Sequence, residues 1–154
     1  MRKDFDVIYD VMIVLDTDVL VAGLFSRRGA SFWLLERAIN GSLPISVSVA
    51  LALEYEDVLL RPASLALSWA SAEQISDFLD PLLETAALVR PIKVRRLPTL
   101  RDADDDLVLE CAFEAHADTI ITMNPRDFAG VTETFGVRIL KPRDLVAELR
   151  KADH

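Results

Sequence analysis

The stretch Val11-Met12-Ile13-Val14-Leu15-Asp16-Thr17-Asp18 decides the fold. Val11 to Leu15 is a continuous apolar run rich in β-branched side chains, which suits a strand buried on both faces, as in a parallel sheet. The run stops on two acids. Met12 stands where many α/β domains begin, so residues 1–11 are expected to be an extension of a core spanning about 12–150. Downstream, Ser31 to Ile39 has helical apolar spacing and stops at Asn40-Gly41, a favourable helix end. Ile45 to Ser48 reads as a short strand and Val49 to Leu60 as a helix. Ser71-Ala72-Glu73-Gln74 is a capping-box pattern opening a helix to about Ala87, which Pro81 is expected to kink or split. Leu88 to Leu97 reads as strand or extended connection, Asp102 to Ala115 as helix, and Thr119 to Thr122 and Val137 to Leu140 as strands. Pro142 starts a last helix. Strands alternating with helices predict a three-layer α/β/α sandwich with a central, mostly parallel sheet. With no repeat, linker or low-complexity tract, one domain over 1–154 is the simplest account.

Composition narrows the chemistry. The 154 residues carry 17 Lys+Arg and 25 Asp+Glu, a formal net charge of −8, and 51% are hydrophobic, which excludes a disordered chain. One cysteine, Cys111, excludes a disulfide framework or a Cys-rich zinc site, and two histidines, His116 and His154, exclude a His-rich one. Any metal must therefore be held mostly by oxygen. The acidic balance argues against coating nucleic acid by bulk charge, but not against cutting it at a carboxylate–metal site. The nearest approach to a membrane span, Val7 to Phe25, is broken by Asp10, Asp16 and Asp18. No secretory signal is apparent, and a cytoplasmic protein is expected.

Sites in open parallel sheets form beyond the carboxyl ends of the strands. Asp16 and Asp18 fall there, as a solubilising turn or as a site. Asp102, Asp104, Asp105 and Asp106 crowd a helix start, where capping and the helix dipole account for one or two acids but not four. A divalent cation would relieve their repulsion. Thr122 and Asn124 follow another strand, where they satisfy its backbone or position a metal-bound water. Glu54, between Leu53 and Tyr55 on a largely apolar helix, is either a surface acid or a partly buried one needing a partner.

These segments together resemble the PIN-domain family of metal-dependent ribonucleases, especially the VapC-like toxins of toxin–antitoxin pairs. Val14-Leu15-Asp16-Thr17-Asp18-Val19-Leu20-Val21 is similar to the family's opening motif. Leu53-Glu54-Tyr55 is similar to its glutamate helix, Arg101 to Ala112 to its acidic helix, and Ala117 to Thr122 with Asn124 and Asp127-Phe128 to its last motif. The order holds from about residue 12 to 146. The resemblance implies a catalytic set of Asp16, Glu54, Asp105 and Asp127. Asp16, Asp105 and Asp127 would hold Mg²⁺ or Mn²⁺, and Asp18, Asp102, Thr122 and Asn124 would support them. This sequence departs from the family in having Asn124 where many relatives have Asp, Asp18 where Asn is commoner, and His116 where a glycine often ends the helix.

The implied reaction is metal-assisted hydrolysis of an RNA phosphodiester, leaving a 5′-phosphate and a 3′-hydroxyl. Glu54 would be a ligand or a water-orienting base. RNA contacts would come from Arg61, Lys93, Arg95, Arg96 and Arg126, the middle three from a stretch, Arg90 to Arg101, with five basic residues and no acid. An antitoxin protein and a second copy of the chain are the expected partners. Eight acids (Asp16, Asp18, Glu54, Asp102, Asp104, Asp105, Asp106 and Asp127) would then make the net charge largely a property of one cleft.

Two other readings are open. Asp16-Thr17-Asp18 matches the Asp-x-Asp signature of haloacid-dehalogenase-like phosphatases, but no Gly-Thr follows Asp18, and the acid-rich run precedes Thr122 instead of lying late in the chain. The other is a PIN-like binding module whose catalytic site has decayed at Asn124.

Overall fold

The structure, a computed structural model, describes residues 12–89 and 103–152. Its strands are β1 (Ile13–Leu15), β2 (Ser46–Ser48), β3 (Ala87–Val89), β4 (Thr119–Ile121) and β5 (Arg138–Leu140). Its helices are α1 (Thr17–Phe25), α2 (Ala30–Ile39), α3 (Val49–Leu59), α4 (Pro62–Leu67), α5 (Ala72–Thr85), α6 (Ala103–Glu114), α7 (Val131–Phe135) and α8 (Pro142–Ala152). A 3₁₀ turn covers Pro125–Phe128.

All described strand pairs are parallel. β4 lies between β1 and β5, with Val14 opposite Ile120 and Ile120 opposite Ile139. β2 pairs with β3, and a bridge between Ile13 and Ile45 joins this pair to β1. The strand order is thus β3-β2-β1-β4-β5. Helices flank the sheet: α6 packs on β1, β2 and β4 and against α3, while α2 packs against α1, α5 and α8. Ile13, Val14, Leu15, Ile120 and Ile121 are buried, as expected of strands covered on both faces. Among the described residues no helix is long and apolar enough to cross a membrane.

The chain runs from β1 outward to β2 and β3, then returns past β1 to β4 and β5. The direction of winding therefore reverses between β1 and β4, and a crevice opens at the carboxyl ends of such a pair.

Helix α1 was not expected from the sequence. It buries Val19, Leu20, Gly23 and Leu24, but apolar residues surround its whole circumference, so no 3.6-residue rhythm marks it. Gly23 lets α2 come close: a Cβ there would stand 2.5 Å from Leu35 Cδ1. Pro81 does not divide α5 as expected. The ring removes one N–H from the helix, but Ile75, Leu79 and Leu82 bury one continuous face across it. The capping box at Ser71 and Gln74 forms as read. Helix α6 ends at His116, the only non-glycine with positive φ (53°) among the described residues. Ala117 N–H bonds Ala112 O at 2.9 Å and His116 N–H bonds Phe113 O at 3.2 Å, a Schellman closure that ordinarily selects glycine.

Candidate active site

Four chain segments meet at the carboxyl ends of β1 and β4. Asp16 follows β1 and stands at the start of α1, yet its carboxylate does not reach the second or third amide of that helix. It accepts instead from Thr122 Oγ1 at 2.7 Å, and Asp16 N–H donates to Ile121 O at 2.8 Å. Thr122 is fully buried and lies immediately after β4. Its hydroxyl also lies 3.3 Å from Asp18 Oδ2 and accepts from Asn124 N–H at 3.1 Å. Asp18, within the first turn of α1, takes the Met123 N–H at 3.1 and 3.2 Å on its two oxygens. Thr122 thus ties together the two strand ends on either side of the crevice.

Asp16 is only 7% exposed. Burial, then the Asp18 carboxylate and, more weakly, Asp105 push its carboxyl up to about 7, against the opposing Thr122 bond. Asp18 is also raised, first by burial and then by Asp127, while the Met123 amide, the Thr122 hydroxyl and a bond from Asp16 oppose the rise. Four carboxylates therefore feel one another here: Asp16 with Asp18 and Asp105, and Asp18 with Asp127. Asp105 is buried on α6, and Asp127 is half-buried on the 3₁₀ turn that buried Phe128 anchors.

Glu54 is half-buried on α3, whose inner face is Leu51, Tyr55 and Leu59. Tyr55, fully buried, donates its hydroxyl to Leu15 O at 2.6 Å and so fixes α3 to the end of β1 one residue before Asp16. The signal for Tyr55 in the sequence was a phenol next to Glu54 on a largely apolar helix, because a buried hydroxyl needs a polar partner.

Asn124 is exposed, and the bond it contributes to Thr122 comes from its backbone. Asp106 sits with Glu110 and Glu114 along α6, where burial, Asp106 and Glu114 raise Glu110. Arg61 is exposed and pairs with Asp57 at 2.7 Å, and Arg126 is exposed beside Asp127. Asp102, Lys93, Arg95 and Arg96, together with residues 1–11, lie outside the described residues.

The donor set suits a hard divalent cation. It consists of oxygens, and Thr17 Oγ1, next to Asp16 in the chain, is buried without a hydrogen-bond partner among the described residues. A cation at Asp16 would supply the positive charge that returns its carboxyl to the ionised form. Among the described residues no three His, Cys, Asp or Glu side chains are already grouped as a metal cage. Mg²⁺ is ordinarily held by one or two carboxylates and keeps several waters, so a pair suffices.

A family model for the PIN domain matches residues 12–126, three quarters of the chain, from β1 to the 3₁₀ turn. No curated protein matches the chain closely enough to count as a relative.

Proposed function

The chain belongs to the PIN domain family, and on that premise we propose that it is an endoribonuclease dependent on Mg²⁺ or Mn²⁺. The family membership supports a nuclease, a hydrolase acting on nucleic acid, of a kind that generally uses divalent metals. The observation that carries the finer reading is Asp16. It lies at the switch point, held by Thr122 at 2.7 Å, and burial, reinforced by the Asp18 and Asp105 carboxylates, keeps its proton on to about pH 7. A buried acid with no cation partner among the described residues is costly for the fold, and such groups concentrate at functional sites.

In this proposal Asp16 and Asp105 hold the ion, with Asp127 reaching it directly or through water and Asp18 supporting them. The bound ion would lower the pKa of a water and offset charge on the phosphate. Thr122 keeps Asp16 oriented by donating to Oδ2, and Tyr55 fixes the backbone from which Asp16 extends. Glu54 accepts the proton of the attacking water. The water oxygen bonds to phosphorus, the bond to the 3′-oxygen breaks, and that oxygen takes up a proton. The products carry a 5′-phosphate and a 3′-hydroxyl.

The decisive experiment incubates the full chain with single-stranded RNA and Mg²⁺ or Mn²⁺. EDTA-sensitive cleavage that is lost in Asp16→Ala and Asp105→Ala is the expected result; equal cleavage by variants and wild type refutes it. We further propose that the chain works as one domain and dimer, the toxin of a toxin–antitoxin pair. Induced expression should arrest growth, co-expression of a neighbouring small reading frame should relieve the arrest, and light scattering should report a dimer.

A further inference from the structure

Beside the acids lies a cleft of about 330 Å³ whose chemistry is opposite to theirs. Among apolar walls its lining includes Ser26 after α1, Gly29 and Ser31 at the start of α2, Met123, and Lys141 and Arg143 where β5 turns into α8. Met123 is shared with the acidic site: its N–H holds Asp18 while its side chain walls the cleft.

Three features of the cleft point to an anion. Lys141 and Arg143 bring two positive charges, and neither forms a salt bridge among the described residues. Ser31 is only 4% exposed, yet the one hydrogen bond its hydroxyl makes among the described residues is a 3.5 Å donation to the Met123 sulfur, a weak acceptor. A buried hydroxyl ordinarily finds an oxygen acceptor. Finally, the ten-residue α2 follows Gly29 at its capping position, with no side-chain cap and no acid in its first turn. Its first amides therefore lack the side-chain oxygen that usually satisfies them, and a helix start attracts anions.

We propose that this cleft is a subsite for a backbone phosphate of single-stranded RNA, one neighbouring the linkage cut at Asp16. The proposal rests on the ribonuclease reading above and adds to it a specific phosphate contact. Lys141 and Arg143 supply the charge, Ser31 Oγ turns from sulfur to a phosphate oxygen, and Met123 separates this phosphate from the acids. The subsite gives an acidic enzyme a local means of holding a polyanion across its repelling centre.

The test measures binding of a fluorescent 12-nucleotide single-stranded RNA in EDTA, and kcat and KM for its cleavage with Mg²⁺. K141Q/R143Q is expected to weaken binding and raise KM about 10-fold with kcat within 2-fold. The slope of log K against log salt should fall by about 0.7, the amount for one phosphate on a single strand. R150Q/K151Q, at the other end of α8 about 12 Å away along the axis, removes the same charge and should change neither quantity by more than 2-fold. A neutral methylphosphonate at one linkage beside the cut should weaken wild-type binding and leave K141Q/R143Q indifferent. Wild-type cleavage with unchanged binding and KM in K141Q/R143Q overturns the subsite alone. So does an equal loss in R150Q/K151Q. Absence of cleavage by wild type overturns the ribonuclease reading instead. R143Q alone, at an exposed position, keeps the test open should the double variant not fold.

Discussion

Replacing Asp16 by Asn is expected to stabilise the protein strongly at pH 8 and by less than half as much at pH 5. Asp16 is 7% exposed, and burial with the nearby Asp18 and Asp105 carboxylates moves its ionisation from 3.8 to about 7. That displacement corresponds to about 4 kcal/mol against the charged form. Between about pH 4 and 7 the native state keeps a proton that the unfolded chain has released. The native state therefore binds more protons, and the free energy of unfolding falls as pH rises through this window. The stabilisation is complete below pH 4 and gone above about 7. Asn keeps an oxygen for the Thr122 hydroxyl but never acquires charge. Because the proton is shared with Asp18, a gain of about 2 to 4 kcal/mol at pH 8 is expected, or about 10 °C in melting temperature for a chain of this length. Thermal melts of wild type and Asp16→Asn in EDTA at both pH values measure it. Millimolar MgCl₂ should raise the wild-type melting temperature at pH 8 and leave that of Asp16→Asn almost unmoved. A stability difference that is the same at pH 5 and pH 8 would refute the reasoning.

Thr122→Val removes the hydroxyl that joins Asp16 to Asp18, and should cost about 1 to 3 kcal/mol in urea unfolding. It should also move the acid limb of any nuclease pH profile upward, and Thr122→Ser should restore both. Tyr55→Phe leaves Leu15 O without its partner, an expected loss of about 1 to 2 kcal/mol, with nuclease kcat reduced because the end of β1 is no longer fixed. His116→Gly removes the side chain from a left-handed position, and a gain of up to about 1 kcal/mol is expected in the same unfolding assay. Cys111, whose thiol burial pushes up to about 11, should react with thiol reagents only after unfolding.

Much of the frame was legible because local signals agreed with it. β1 and β4 are apolar throughout, as strands covered on both faces must be, and the capping box at Ser71 began a helix as read. The failures have particular causes. Helix α1 lacks a polar face, so periodicity had nothing to detect. Pro81 was judged by what it removes from one turn, whereas the buried row through Ile75, Leu79 and Leu82 holds the helix across it. Among the site residues, Asp16, Asp18, Asp105 and Asp127 were visible as acids at strand ends and a helix start. Ser31, Lys141 and Arg143 carried no such mark, because a serine in a helix and two cations beside a proline fit any surface.

The sequence by itself determined the alternation of strands and helices, the oxygen character of any metal site, and the acids available to it, since these depend on residue type and local order. Only the tertiary structure decided which acids feel one another. The reversal of strand order between β1 and β4 brings Asp16 against Thr122, 106 positions away, inside a space that water barely enters. Burial and like charge then change what the carboxyl is, from an ordinary turn acid to one that keeps its proton near neutrality. The same folding sets Lys141 and Arg143 beside Met123, an arrangement that no spacing along the chain encodes.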